Sequence, residues 1–133
     1  MPEARFPVEV VGGVPVVIAP EEIDITNAAS LRAALLDAAS DGHRRFVVDM
    51  TRTRFCDASG VHALAAAHQR ALEEDRQLLL AVSGPAVLRV LAITGIDQII
   101  PRFATLDEAV GQAPSGGAPG SRQGAPPGRV KGS

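Results

Sequence analysis

A chain of 133 residues that is 46% hydrophobic has the material for one core and no room for a second full domain. Its formal net charge is −2, and because Arg122, Arg129 and Lys131 stand beyond Gly111 without any acid, the remainder carries −5. An acidic body with four Phe and neither Tyr nor Trp offers neither the basic footprint nor the stacking surface that nucleic acid requires.

The β-branched runs Val8 to Val11 and Val14 to Ala19 flank Gly12-Gly13 and predict an opening hairpin. Pro15 fits it best if the second strand begins there or lies toward an edge. A first helix follows, capped by Thr26 or Asn27, with Ala28, Leu31, Ala34, Leu35 and Ala38 on its buried face and Asp41-Gly42 beyond its end. Arg45 to Met50 is an almost continuous apolar run, the pattern of a central strand covered on both faces. A second helix is expected from about Ser59 to Glu74, with Val61, Leu64, Ala65, His68 and Leu72 inward. Gln77 to Val82 predicts another strand. Ser83 is expected to cap a third helix that has Pro85 in its first turn, Val87, Leu88, Leu91 and Ile93 along it, and Thr94-Gly95 at its end. Ile99 to Phe103 suggests a short strand, and Asp107 to Val110 a last helix.

Strands alternating with helices after a hairpin imply an α/β layer structure with a mixed sheet, since crossover helices impose parallel pairing. We place one domain over residues 1–111. The Gly- and Pro-rich segment 112–133 has too little apolar content to offset the entropy of ordering and is expected to be disordered. No apolar run reaches the length needed to insert in a membrane, and Met1 to Arg5 lacks the apolar core of a signal peptide. With Cys56 as the single cysteine, no internal disulfide or thiolate metal site is expected, and the compartment predicted is a reducing cytoplasm. Arg supplies twelve of the thirteen basic residues and Ala is abundant, a usage that points to a bacterial source.

The chemistry-bearing stretch is Phe46-Val47-Val48-Asp49 followed by Phe55-Cys56-Asp57-Ala58-Ser59-Gly60-Val61, a strand leading through a short polar turn into a helix start. Unpaired N–H groups and the positive end of the helix dipole suit that turn to an anion or an acidic contact. Asp57 either caps the helix or presents its carboxylate to a partner, and the two roles are compatible. Ser59 is a second capping hydroxyl or a phosphate acceptor, and a phosphate there would place about two negative charges in any interface. Asp24, ahead of Thr26 and Asn27, caps the first helix or borders a recognition rim. Cys56 and His62 would make a nucleophile and base only if geometry joined them, and a buried Cys with a solvent-facing His is the expectation. Asp49 at the end of a central strand resembles a receiver phosphoacceptor. That chemistry also needs an acidic metal cluster and a nearby cation, and the only lysine is Lys131 in the tail. Neither a phosphate loop nor a dinucleotide fingerprint is present, so no cofactor or metal is expected.

Taken together, Glu22-Ile23-Asp24-Ile25-Thr26-Asn27-Ala28, Phe46 to Asp49, Phe55 to Val61 and Leu91-Ala92-Ile93-Thr94-Gly95-Ile96 resemble the STAS domain of anti-sigma factor antagonists. The resemblance spans Val8 to Val110. It implies a mixed sheet of about four to five strands with about four helices packed mainly on one side, and a binding module in place of an enzyme. It further implies an anti-sigma factor that is also a serine kinase as partner, release of a sigma factor on binding, phosphorylation that breaks the complex, and a phosphatase that restores it. By position, Asp24 matches the acidic residue of the binding rim, Asp57 the one before the phosphorylation site, and Gly60 the glycine after it. The usual acceptor position holds Ala58, which has no hydroxyl. Ser59 is one residue, about 100° of helix, further on. The expected docking surface is Asp24, Thr26, Asp57, Ala58, Ser59 and Gly60, with His62 and Ala66 along the second helix. The alternative is a non-phosphorylated accessory module in a stress-signalling or lipid-transport complex.

Overall fold

The computed structural model describes residues 6–112. In chain order the elements are β1 (Val8–Val11), β2 (Val14–Ile18), β3 (Glu22–Ile23), α1 (Ala28–Ala39), β4 (Arg45–Met50), β5 (Phe55–Cys56), α2 (Ala58–Glu73), β6 (Gln77–Val82), α3 (Pro85–Thr94), a 3-10 turn at Ile96–Gln98, β7 (Arg102–Phe103) and α4 (Leu106–Gln112). The main sheet has the order β1-β2-β4-β6-β7, and β3 and β5 form a separate two-stranded sheet.

Strands β1 and β2 pair antiparallel about Gly12 and Gly13, whose φ angles of 57° and 81° meet the demand of a two-residue hairpin turn. Pro15 is accommodated because β2 pairs with β4 only from Val16 onward, so its missing N–H interrupts no ladder. The pairs β2–β4, β4–β6 and β6–β7 are all parallel. Each is joined through a helix, and successive right-handed crossovers stepping in one direction put α1, α2 and α3 on the same face. Val17, Phe46, Val48, Met50, Leu78 and Leu80 meet Leu31, Leu35, Leu64 and Leu91 there. On the opposite face α4 lays Ala109 over Val16, Val47, Leu79 and Ala81. Burial on both sides explains why β4 and β6 read as unbroken apolar runs.

Five features depart from expectation. The β3–β5 pairing was not foreseen, because two-residue strands leave no periodicity. Along α2 the buried positions are Gly60, Val61, Ala63, Leu64, Ala67 and Ala71, whereas Leu72 is 57% exposed and Ala65 and His68 are half-buried. Val61 and Leu64 are buried as expected, but in the later turns the inner positions are Ala67 and Ala71, small enough for α2 to pack closely against α1. Ser83 does not cap α3; Gly84 does, with Pro85 at the first helical position. Its place is set by contact, since a Cβ on Gly84 would come within 2.9 Å of the Thr53 carbonyl oxygen. Ile93 on α3 is exposed, and of the strand expected over Ile99 to Phe103 only Arg102–Phe103 forms. Gln112 closes α4, and the expected disordered segment otherwise lies outside the described residues.

Candidate functional site

The small β3–β5 sheet sits where the chain leaves β2 and β4 and enters α1 and α2. Glu22 pairs with Phe55 and Ile23 with Cys56, in parallel register. Further main-chain bonds extend the ribbon at both ends: Arg54 N–H to the Glu21 carbonyl at 2.7 Å, and Asp57 N–H to the Ile23 carbonyl at 3.1 Å. Behind it the buried Thr53 hydroxyl donates to the Pro20 carbonyl at 2.8 Å, which satisfies the one polar side chain fully inside the described core. Alternation along the ribbon turns Ile23 and Cys56 into the core and leaves Glu22 and Phe55 outside. Asp24 and Asp57, each one residue further on, therefore stand side by side at the starts of two helices.

Each aspartate organises its own turn. The Asp24 carboxylate accepts the Thr26 N–H at 2.9 Å and the Thr26 hydroxyl. Asn27 reaches backwards, its side-chain oxygen accepting the Asp24 N–H at 3.0 Å and its amide donating to the Glu22 carbonyl at 2.8 Å. Asn27 thus precedes α1 without a side-chain capping bond to it. Asp57 is a true N-cap of α2, accepting from Ser59 N–H at 2.9 Å, Gly60 N–H at 3.4 Å and the Ser59 hydroxyl. The Ser59 hydroxyl holds the Asp57 carboxyl below the usual carboxylate range, against the opposing effect of partial desolvation, and the Gly60 and Ser59 N–H groups add to it. Asp49 after β4 repeats the device, accepting the Thr51 N–H at 3.0 Å and the Thr51 hydroxyl at 2.7 Å. In all three turns the hydroxyl two residues on is engaged by the aspartate.

Of the expected surface residues, Thr26, Ala58 and His62 are exposed, and Asp24, Asp57, Ser59 and Ala66 are half-buried. Gly60 is buried, a correction to its expected place on the docking surface, because α2 presses it onto Cys56 and Ile23. Ala58, His62 and Ala66 follow one another at four-residue spacing along one strip of α2. Two apolar residues at the same end, unremarked in the sequence, are Ile25 at 82% exposure and Phe55 at 49%. An isoleucine lodged between two turn-forming polar residues was the available signal for the first.

Cys56 is buried, and desolvation foremost, with the Asp57 charge second, pushes its thiol up to about 11. Its sulfur contacts the Asp57 carbonyl at 3.5 Å, while His62 is exposed on α2, so the two do not form a nucleophile and base. Among the described residues no three His, Cys, Asp or Glu side chains are grouped to hold a metal, and no helix is long and apolar enough to cross a membrane.

The model of the STAS domain matches residues 5–109. Among solved structures, an anti-sigma factor antagonist from Mycobacterium paratuberculosis is 30% identical, covers 81% of this chain and 92% of its own, and superposes with a TM-score of 0.74. An anti-sigma-factor antagonist (STAS) domain protein from Planctomyces limnophilus shares the fold at 24% identity over 84% of this chain and 99% of that one, with a TM-score of 0.72. A sulfate transporter family protein from Wolinella succinogenes does so at 23% identity over 79% and 88%, with a TM-score of 0.69. The mixed five-stranded sheet, the paired aspartate turns and the match across most of the sequence lead to one conclusion: the chain belongs to the STAS domain family.

Proposed function

We infer that this chain is an anti-sigma factor antagonist: it binds an anti-sigma factor of the serine-kinase type and so releases a sigma factor, acting in the bacterial cytoplasm by association and not by catalysis. The observation that carries this reading is the β3–β5 register, which brings Asp24 and Asp57 together beside the exposed Thr26 and Ala58 and the exposed apolar Ile25 and Phe55. A rigid patch of two carboxylates and two apolar side chains suits recognition of another protein's surface. Similarity to the mycobacterial antagonist supports the assignment.

Control by phosphate takes a particular form here. The exposed first residue of α2 is Ala58, which has no acceptor, and the Ser59 hydroxyl beside it is half-buried and donates to Asp57. A phosphate on Ser59 would face the Asp57 carboxylate it now bonds. The complex therefore forms without being broken by the partner's kinase activity, and a phosphatase has nothing to restore. Co-purification of the chain with the serine-kinase-type anti-sigma factor of its source organism tests the assignment. Wild type is expected to form a complex in the presence of ATP, Asp24→Lys to lose it, and Ser59 to stay unmodified by mass spectrometry.

A second reading, an accessory binding module in a stress-signalling or transport complex, draws on the shared fold of the sulfate transporter family protein. Recovery of transport components in place of an anti-sigma factor would favour it.

A further inference from the structure

Ile25 is the most exposed large apolar side chain among the described residues, at 82%. Its backbone is nonetheless held firmly: Thr26 bonds twice to the Asp24 carboxylate, Asn27 bridges the Asp24 N–H and the Glu22 carbonyl, and the Asp24 carbonyl accepts from Asn27 N–H at 3.1 Å and Ala28 N–H at 2.9 Å. An apolar side chain displayed on so constrained a turn loses little further freedom on binding, which is the condition for an affinity anchor. Phe55, 49% exposed, lies on the neighbouring strand opposite Glu22.

The surroundings specify the occupant. Asp24 and Asp57 engage their turns through Oδ1 alone, and Oδ2 of each makes no hydrogen bond among the described residues. Glu22 is exposed on the same ribbon, and the nearby Arg54 is paired with Glu21 at 3.6 Å. This acidic border opposes a second copy of the same surface, an anionic lipid headgroup layer and a nucleic-acid backbone alike. It complements cationic donors. We propose that Ile25 is the anchor of this surface, seated in an apolar socket of a partner protein whose rim presents Arg or Lys side chains to Asp24 and Asp57. The inference rests on the anti-sigma factor reading above and assigns the residue on which that affinity depends.

The experiment is calorimetric titration of the purified serine-kinase-type anti-sigma factor with wild type, Ile25→Ala, Ile93→Ala and Asp24→Asn at two salt concentrations. Ile93 is the control, an isoleucine 77% exposed on α3. Ile25→Ala should weaken binding roughly 10- to 100-fold at both salt concentrations, the range set by burying one such side chain. Asp24→Asn should flatten the salt dependence and Ile93→Ala should match wild type. Because Ile25 is solvent-exposed, its replacement should leave the melting temperature unchanged, separating lost contact from lost folding. Equal affinity of Ile25→Ala and wild type, or equal weakening by Ile93→Ala, overturns the anchor while leaving the anti-sigma factor reading intact. Failure of wild type to bind overturns both.

Discussion

Gly60 lies directly against Cys56: a Cβ added to the glycine would stand 2.5 Å from the cysteine sulfur and 2.7 Å from Ile23 Cγ2. The first turn of α2 can therefore approach the β3–β5 ribbon only because position 60 has no side chain. Gly60→Ala should destabilise the protein by about 1–3 kcal/mol, the usual cost of overpacking a closed core. Cys56→Ala introduced beside it should recover part of that loss, giving a coupling in a double-mutant cycle measured by urea unfolding.

Asp57 is the capping group whose carboxyl is held low by the Ser59 hydroxyl. A depressed folded-state value means that its contribution is complete above the unfolded value near pH 4 and is lost as pH falls through the lowered one. Asp57→Asn should thus melt below wild type at pH 7, and the difference should shrink on acidification below about pH 4. Melting curves across pH 2–7 measure it; a gap that stays constant through the acid range would show that the carboxylate charge contributes nothing.

The Cys56 thiol, pushed up to about 11 by burial, is the opposite case. Its contribution is complete below the unfolded value of about 8.5 and disappears as pH rises through the folded one. Stability of wild type should fall across that alkaline window more steeply than that of Cys56→Ala. At neutral pH the thiol should react with a colorimetric disulfide reagent only as fast as the protein opens, so labelling rates should follow the denaturant dependence of unfolding.

Asp75, just beyond α2, has a φ of 60°, a left-handed conformation for a residue with a Cβ. Asp75→Gly should raise stability by about 0.5–1 kcal/mol, whereas Gly95→Ala at the end of α3, where φ is 81°, should lower it by about 1 kcal/mol. Chemical denaturation of the two variants gives opposite shifts in midpoint if backbone strain governs both ends.

Ala58→Ser restores a hydroxyl at the exposed start of α2. With the kinase-type partner and ATP, that variant should acquire one phosphate and then release the partner, while wild type and Ser59→Ala should do neither. Intact-mass measurement alongside gel filtration reads both outcomes; phosphate on wild-type Ser59 would contradict the reading.

Long elements were legible in the sequence because burial stamps a period on them. The runs Phe46 to Met50 and Leu78 to Val82 marked two-sided strands, and Leu31, Leu35 and Ala38 marked the inner face of α1. On α2 the same rule placed Val61 and Leu64 correctly and failed in the later turns, since Leu72 outweighed Ala67 and Ala71 by hydrophobicity although helix approach favoured the smaller residues. The neighbourhood of Asp24 and Asp57 was legible as two separate turns. Their adjacency followed only from the family resemblance and not from local pattern, because they stand 33 positions apart and the joining element is two residues long. Gly60 was assigned to the surface because local sequence cannot distinguish a glycine freed for contact from one crowded by its neighbours.

The brevity of the β3–β5 ribbon has a consequence for how faithfully the chain reaches its native alignment. A shift of one residue would swing Ile23 out to water and carry Asp24 into the hydrocarbon interior, a penalty two ladder bonds cannot offset. Thr53 fastened to Pro20 on one side and Asp57 to Ile23 on the other brace the ribbon from both ends. In the native state, therefore, the smallest sheet in the molecule fixes the alignment of two helix starts that the main sheet does not join.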